Sequence, residues 1–387
     1  MVEWRFYACD FGSGRKIAEL PLSPDGDISR MIGEAAQTTF TLPLRDAYTP
    51  EDWELTTLPA RTMIAVNMGD QLIWTGIIWR RVRNHGYTVT LDCETLESYF
   101  SRRYLNKTLG PYTQVDQARI LRDLFQHGTE NAVFSLSYDC PDTGILRDRT
   151  QYSEASGTSI YELADNLAKV INGPEWTLTS NWVVLDPNKP STSYLRHTLV
   201  ARFPYLGTRI PEPDWTFSSP GNILSWEYAE DFTADNYATQ VIATGSGDGQ
   251  AMIRSDVQRD KAAMLAGIPI TEARPGSQLS KKADVNEIAI GTLRDMHDGA
   301  TTLQLTANLD AVIEAGRIPA LGDTARVLID RDEFGPIESL CRIVGWSIDP
   351  AAGVYTPTIM PYEDPFEYYE SGYDTDTGEE ENVEDEA

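Results

Sequence analysis

The 387-residue sequence has few of the side chains on which most catalytic and metal sites are built. It holds four histidines and four cysteines, scattered over different segments, and no CxxC, HExxH or GxSxG motif. Structural zinc needs ligands at short spacing, and a serine nucleophile needs its glycine-flanked turn. The glycine-rich run at 245–249 lacks the spacing of a nucleotide loop. We therefore predict no metal site, no cofactor and no catalytic residue, and we expect the thiols to be small buried apolar groups.

A long hydrophobic run is also missing from the sequence. No uncharged stretch reaches the ~18 apolar residues that a membrane span requires. Residues 1–5 carry no basic segment followed by an apolar one, so we expect no signal peptide. These features predict a chain without a transmembrane segment, and the four scattered single cysteines favour synthesis in a reducing compartment.

Positive charge is scarce. The chain has 32 Lys and Arg against 59 Asp and Glu, a formal net charge of −27. Sequence-specific nucleic-acid binding needs a basic surface, so that class is excluded. Residues 363–387 hold twelve acidic residues and no basic one, which predicts a disordered acidic tail.

Alternation of apolar and polar residues predicts β-structure near both ends of the chain. Two three-stranded meanders are predicted, at 64–66, 73–79 and 88–91 and again at 327–329, 342–348 and 354–359. Gly76 and Gly345 lie inside the long strand of each, where glycine marks a bend or bulge. The pattern favours two copies of one small barrel. The alternative is that any two meanders look alike.

Helix signals occupy the middle of the chain. The pattern Thr113-x-x-Asp116 predicts one capping box, and Ser159-x-x-Glu162 predicts a second one before an apolar stripe. Further helices are predicted at about 256–266 and at 285–296.

Two surface features could carry binding. Arg80, Arg81 and Arg83 cluster at a strand end, where they either bind phosphate or charge an exposed edge against aggregation; the second reading is favoured. Trp79 and Trp346 could stack on sugars, although aromatics beside a strand glycine are more often core or subunit interface.

The order of these segments resembles the tail-tip hub (baseplate hub) and minor tail proteins of long-tailed bacteriophages, of the siphophage type from actinobacterial hosts. The resemblance covers roughly residues 1–362. It rests on the strands Thr-Gly-Ile-Ile at 75–78, Val-Thr-Leu-Asp-Cys-Glu at 89–94 and Arg-Ile-Val-Gly-Trp at 342–346, and on the stretch at 235–245.

The resemblance implies a β-rich α+β fold with two similar tube-type β-barrels and a mixed α/β outer domain. The implied boundaries are 1–110 for the first barrel, 111–221 with 246–299 for the outer domain, 222–245 with 300–362 for the discontinuous second barrel, and 363–387 for the acidic tail.

The resemblance also implies a structural role without enzymatic activity. Such a subunit forms a homotrimeric, pseudo-sixfold ring that joins the sixfold tail tube or distal tail protein to a threefold central fibre or spike. The tape measure protein is a further expected partner. The ring belongs to the virion tail tip, is assembled in the host cytoplasm, and forms part of the DNA ejection channel. The acidic side chains that we expect to line this channel are Asp70, Asp92, Asp323 and Asp330.

Two other functions stay open at this point. A tail-associated protein that binds or degrades cell-wall glycan or peptidoglycan is the first, because 59 acidic residues leave many carboxylate pairs available. A secreted bacterial carbohydrate-binding protein is the second, but it should carry a signal peptide.

Overall fold

The computed structural model describes residues 3–149, 152–170, 172–185, 193–207, 213, 215–247, 249–277, 281–297, 300–313, 317–330 and 335–362. The chain divides into two compact units. The first comprises Met1–Glu227 and Gln304–Tyr362, and the described part of the second comprises Tyr228–Leu303. The predicted acidic tail at 363–387 lies outside the described residues.

The first unit opens with an antiparallel sheet, here called the N-terminal sheet, in the order β2-β1-β6-β7-β8-β5-β3. Its strands are β1 (Trp4–Asp10), β2 (Lys16–Leu20), β3 (Ser23–Pro24), β5 (Gln37–Pro43), β6 (Thr62–Met68), β7 (Gln71–Asn84) and β8 (Thr88–Glu94). Strand β4 (Ile28–Met31) leaves this sheet, and two short helices, α1 (Trp53–Thr56) and α2 (Glu97–Phe100), flank its later strands. All seven residues of β6, which lies between β1 and β7, are buried.

A mixed α/β layer follows in the same unit. Its elements are β9 (Tyr112–Asp116), α3 (Gln117–Gly128), β10 (Leu136–Asp139), β11 (Leu146–Arg149), α4 (Ile160–Ala168), β12 (Glu175–Val183) and β13 (Tyr194–Arg202). Strands β10, β13 and β12 form a three-stranded middle sheet in that order. The apolar stripes of α3 and α4 share one core with Trp176 and Leu178 of β12.

The two predicted capping boxes have different outcomes. Ser159 and Glu162 form a reciprocal capping box at the start of α4, as predicted. The Thr113 box is wrong, because Tyr112–Asp116 is strand β9 and Asp116 is itself the N-cap of α3. Asp116 Oδ1 accepts the Ala118 N–H at 2.8 Å, so the cap lies three residues later than the pattern indicated.

The C-terminal sheet runs in the order β14-β20-β21-β22-β19-β15. Its elements are β14 (Trp215–Ser219), β15 (Ile223–Asp231), β19 (Ala300–Asn308), the short helix α7 (Leu309–Val312), β20 (Thr324–Ile329), β21 (Ile337–Asp349) and β22 (Val354–Pro361). Strand β14 is parallel to β20, whereas β20, β21 and β22 are antiparallel. Most residues of β20 are buried, and the buried residues of β21 lie within the stretch from Cys341 to Ile348.

The second unit is small. Its further elements are β16 (Gln240–Val241), β17 (Gln258–Arg259), α5 (Lys261–Leu265), β18 (Glu272–Ala273) and α6 (Lys282–Met296). The predicted helix at 285–296 is confirmed, and its stripe packs in a core with Ala238 and Val241. The helix predicted at 256–266 is shorter, because Asp260 caps it and the preceding residues pair with β16.

The two predicted meanders are present and share their register. In the β7–β8 pair, Trp79 is an extra residue that bulges out of the ladder, and in the β21–β22 pair Val344 is the extra residue. Each bulge lies the same number of positions before the last residue of the long strand, Asn84 or Asp349. The fold is therefore strand-rich, as predicted, with the same strand–bulge–hairpin pattern in both seven-stranded sheets.

The two strand glycines differ within this shared pattern. Gly345 follows the bulge directly and pairs with Met31 of β4. Gly76 precedes its bulge, and an added Cβ there would lie 2.1 Å from the Trp74 ring. Only Gly345 marks a bulge, and Gly76 instead makes room for a buried indole.

Candidate assembly surface

Strand β4 links the two large sheets. It comes from the N-terminal part of the chain, yet it pairs with β21 of the C-terminal sheet, from Ile28 opposite Ile348 to Met31 opposite Gly345. The contact continues with the Ile32 N–H, which donates to the Val344 carbonyl at 2.9 Å. β22 already pairs with the other side of β21 along these residues, so β4 fills the edge that β20 leaves open.

The side chains of β4 extend this junction to the middle sheet. The Arg30 guanidinium donates to the Leu178 carbonyl at 2.7 Å and lies 3.8 Å from the buried Glu97 carboxylate. The Trp74 indole N–H donates to the Ser29 carbonyl at 3.1 Å. One four-residue strand thus connects three sheets by backbone pairing, a half-buried guanidinium and an indole hydrogen bond.

A second polar link joins the middle and C-terminal sheets. Arg342 of β21 donates to both carboxylate oxygens of Glu175 on β12, at 3.1 and 2.7 Å. The Leu206 N–H donates to the same carboxylate at 2.7 Å, and the Tyr205 ring lies 4.0 Å from the guanidinium carbon. Bidentate pairs of this kind fix orientation as well as supplying energy.

A cavity of about 400 Å³ lies among these sheets, within the first unit. Its lining includes Arg30, Thr75, Ser180 and Arg202. These polar groups already bond to protein: Thr75 and Ser180 hydroxyls lie 2.9 Å apart, and Arg202 donates to Asp139 at 2.8 Å. Their hydrogen-bonding capacity is committed to holding the sheets together rather than directed at a ligand.

One pair beside the cavity has the residue types of a catalytic dyad. The Ser180 hydroxyl lies 2.8 Å from Nδ1 of His197. Nε2 of His197 is buried and has no hydrogen-bond partner among the described residues, so no carboxylate orients the ring. Burial lowers the pKa of His197 to about 4. A serine nucleophile is activated by a general base that is held in orientation and has a pKa near the working pH. The His197 imidazole meets neither requirement.

The cysteines are equally unsuited to nucleophilic chemistry. All four thiols are free; Cys9, Cys93 and Cys341 are buried and Cys140 is half-buried. Burial raises the pKa of the Cys9 and Cys341 thiols to about 12, and that of Cys140 to about 11. Because the thiolate is the reactive form, these groups behave as small apolar side chains, as predicted.

The four predicted channel residues lie in two kinds of place. Asp70 and Asp330 are exposed and follow the equivalent strands β6 and β20. Asp92 on β8 forms an ion pair with Arg80 at 2.9 Å, and Asp323 accepts the Trp215 indole N–H at 3.1 Å. The channel-lining role of all four stays a prediction.

The arginine cluster lies on the second half of β7. Arg80 and Arg83 are exposed, and Arg83 pairs with Glu54 of α1 at 3.0 Å. Arg81 donates to the carbonyls of Glu54 and Thr57, at 2.7 and 3.1 Å. The cluster lies along a strand edge, which is the second of the two readings that the sequence left open.

Neither tryptophan offers an open platform for a sugar. Trp79 donates its indole N–H to the Ser98 hydroxyl at 2.7 Å, and the Arg102 guanidinium covers its ring at 4.0 Å. Trp346 is buried and lines the cavity. Across the described ranges there is no cluster of three or more His, Cys, Asp or Glu side chains that could hold a metal ion. No helix in these ranges is long and apolar enough to cross a membrane.

Comparison with solved structures finds tail proteins with a similar fold. No protein-family model matches the chain, and no curated protein sequence matches it. Among solved structures, the tail protein from Neisseria meningitidis MC58 is similar, with a TM-score of 0.58 and 14% identity. The 43 kDa tail protein of prophage MuSo2 from Shewanella oneidensis has a TM-score of 0.59 and 10% identity. In each case 93% of this chain covers 97% of the other.

A third tail protein supports the same conclusion. Prophage tail protein gp18 from Listeria monocytogenes EGD-e has a TM-score of 0.52 and 12% identity, with 95% of this chain covering 97% of that one. The chain has the fold of these three tail proteins, and the similarity extends over 93–95% of its length.

Two parts of the candidate surface have no clear signal in the sequence. The β4–β21 pairing joins four residues to a strand some 300 positions later, and the Glu175–Arg342 pair joins residues 167 positions apart. The sequence offers only a single arginine at each position as a signal, Arg30 between Ser29 and Met31 and Arg342 between Cys341 and Ile343.

Proposed function

We propose that the protein is a structural subunit of a phage tail tip, a hub that forms a homotrimeric ring. The observation that carries the proposal is the tail-protein fold, shared over 93% of the chain with two tail proteins, one of them from a prophage. The matching register of the two meanders supports it further, because two equivalent sheets per subunit give three subunits six equivalent positions.

In this proposal each sheet belongs to one tube-type β-barrel. The pseudo-sixfold face of the ring meets the sixfold distal tail or tail tube protein, with the tape measure protein as a further partner. The threefold face meets a central fibre or spike. The domain boundaries proposed from the sequence, 1–110, 111–221 with 246–299, and 222–245 with 300–362, belong to the same proposal. So do a place in the virion, assembly in the host cytoplasm and an origin in a siphophage of actinobacteria.

We further propose that the bore of the ring is acidic and lets DNA pass without holding it. Each chain carries a net charge of −27, so a basic bore would have to be lined by Lys and Arg, which are fewer than the acidic residues. Exposed Asp70 and Asp330 are the better candidates for the lining, because Asp92 and Asp323 are engaged by protein partners. A wall of this sign repels duplex phosphates within about 8–10 Å, the screening distance in physiological salt.

The subunit is proposed to act without catalysis. The Ser180–His197 pair lacks an orienting group among the described residues, and the buried thiols are protonated. The competing function, binding or degradation of cell-wall glycan, has no observation in its favour. A zymogram with purified protein on peptidoglycan separates a hub from a wall-degrading enzyme, since a hub gives no cleared band.

The oligomeric state tests the ring directly. Light scattering on the purified chain at high micromolar concentration should give the mass of a trimer, and electron micrographs of the particles should show threefold symmetry. A clean monomer, alone and with its tube partner, contradicts the proposal. For the bore, replacing Asp70 and Asp330 by Lys should slow DNA ejection from assembled particles, whereas a solved ring lined mainly by Lys and Arg refutes the acidic wall.

A further inference from the structure

One strand edge in the N-terminal sheet corresponds to the edge that β4 fills in the C-terminal sheet. In β21 the residues paired with β4 are Gly345 to Ile348, on the side where β20 has ended. Matching the two bulges places Arg80 to Arg83 of β7 at the same positions. β6 ends its pairing at Ile77, and no described strand pairs with Arg80–Arg83 on that side.

The strand that is equivalent to β4 can be identified in the same way. Pro43 of β5 lies opposite the first residue of β8, and Asn308 of β19 lies opposite the first residue of β22. Pro43 and Asn308 are therefore equivalent positions. The chain before β5 is β3 and β4, and the strand beside β19 is β15, whose Asn222 carbonyl accepts the Asn308 N–H at 2.8 Å. Ser23 of β3 lies opposite Thr41 of β5, so position 21 falls opposite Pro43 and is equivalent to Asn222. Eight residues further along each segment, Glu230 near the end of β15 corresponds to Ser29 in the middle of β4.

The chemistry of the two segments is complementary. The β7 edge carries Arg80, 70% exposed, and Arg83, 60% exposed, with Arg81 between them. The end of β15 carries exposed Glu227 and Glu230. β15 also exposes large apolar side chains along its length and just beyond it: Leu224, Trp226, Tyr228 and Phe232.

We propose that the last residues of β15 from a second copy of this chain pair with the Arg80–Arg83 edge of β7. The contact repeats between subunits what β4 and β21 make within one, so a closed ring would contain six strand additions of one kind. The inference rests on the proposed ring and names its subunit interface. Main-chain hydrogen bonds provide the affinity, and the acidic-to-basic match selects this edge over others.

The matching fixes which residues face each other. Ser29 lies opposite Ser347 in the β4–β21 pair, and their equivalents are Glu230 and Val82. Residues directly opposite in an antiparallel pair have Cβ atoms about 4.5–5.5 Å apart and share one face. Arg80 is two positions from Val82 on that face, within reach of the Glu230 carboxylate.

Disulfide trapping tests the register. The double variant Val82→Cys with Glu230→Cys should form intermolecular disulfides on mild oxidation and give a covalent trimer on a non-reducing gel. The native thiols are poor competitors because three of the four are buried. The matched control pairs Val82→Cys with Leu265→Cys, whose side chain is 90% exposed, and should stay monomeric on the gel. Equal cross-linking in both variants overturns the assigned pairing.

Charge reversal tests the energetics. Arg80→Glu with Arg83→Glu should reduce the trimer to monomers in light scattering, as should Glu227→Arg with Glu230→Arg, and all four changes together should restore it. The control Arg61→Glu with Lys169→Glu reverses two other exposed cations, each beside an acid, and should stay trimeric. Circular dichroism establishes that each variant is folded.

The outcomes separate the two proposals. A wild type that stays monomeric both alone and with its tube partner contradicts the hub ring itself. A trimeric wild type whose Arg80/Arg83 reversal is folded and still trimeric overturns only this interface, and the ring must then close through another surface.

Discussion

Arg342 and Glu175 are joined by two hydrogen bonds, of 3.1 and 2.7 Å, across the boundary between the C-terminal and middle sheets. The guanidinium is 5% exposed, so the pair is largely removed from water on the arginine side. A buried charge raises the free energy of the folded state unless it is paired. Replacing one partner therefore destabilises the fold, because the other charge stays buried without compensation.

Replacing Arg342 by Leu should therefore lower the free energy of unfolding by about 3–5 kcal/mol, because it leaves the Glu175 carboxylate without its cation. Adding Glu175→Gln should recover part of the loss, since the amide oxygen still accepts the Leu206 N–H. Urea denaturation of the two variants measures both. Equal losses in the single and double variants would show that the charge pair is not what stabilises this boundary.

Gly76 should tolerate no side chain. The Trp74 ring that an added methyl would meet is fully buried, packs edge-on against Phe40 at 5.7 Å and is anchored at Ser29. Gly76→Ala should cost about 1–3 kcal/mol through overpacking. Gly86→Ala is the matched control, because nothing lies within 4 Å of its Cβ position. Thermal unfolding should separate the two by several degrees; similar midpoints would mean that the indole moves freely.

His197 should make stability depend on pH. Its folded pKa is about 4, below the value of about 6.5 for an exposed imidazole, because burial disfavours the cation. Below pH 6.5 the unfolded chain takes up a proton that the folded chain refuses, so stability falls as the pH drops from 6.5 toward 4, by roughly 3 kcal/mol in all.

His197→Phe, which keeps the edge contact with Phe134, should remove this part of the acid-side slope. Ser180→Ala keeps the imidazole and should keep the slope. Urea titrations at several pH values between 4 and 7 compare the three proteins. A slope that persists in His197→Phe would assign it to other groups.

Removal of residues 363–387 should shift the thermal midpoint by no more than a few degrees. The segment has twelve acidic residues and too little apolar surface to pack. Differential scanning calorimetry of the chain ending at Tyr362 checks this. A larger drop would mean that the segment docks on the folded part.

Local patterns predicted much of the fold, and non-local contacts escaped prediction. The Ser159 box and the β7–β8 hairpin were predictable because their partners lie a few residues away. β13 was predictable only in part, since it lies in a stretch rich in Pro, Ser and Thr that predicts loops and short strands without fixing the bounds of any one strand. The Thr113 box failed because Asp116 also accepts the Thr143 and Gly144 N–H groups, and this distant loop sets the helix start.

The candidate surface was predictable only in part. The arginines of β7 were identified as an exposed strand edge because charge at a strand end is a local signal. The role of β4 was not, because four residues carry no period and their partner strand is some 300 positions away. Such a strand pairing cannot be predicted from a short stretch of sequence, because no short stretch includes both strands.

The pairing of β4 with β21 also sets an order of events during synthesis. Ile28–Met31 leaves the ribosome early, but β21, the strand that it must join, is made about 300 residues later. At roughly 5–20 residues per second the wait is about 15–60 s. During this interval the nascent N-terminal half carries a strand whose partner does not yet exist, and such strands pair readily with other chains. A host chaperone that shields this strand until translation ends would raise the yield of assembled subunits more than it would raise their final stability.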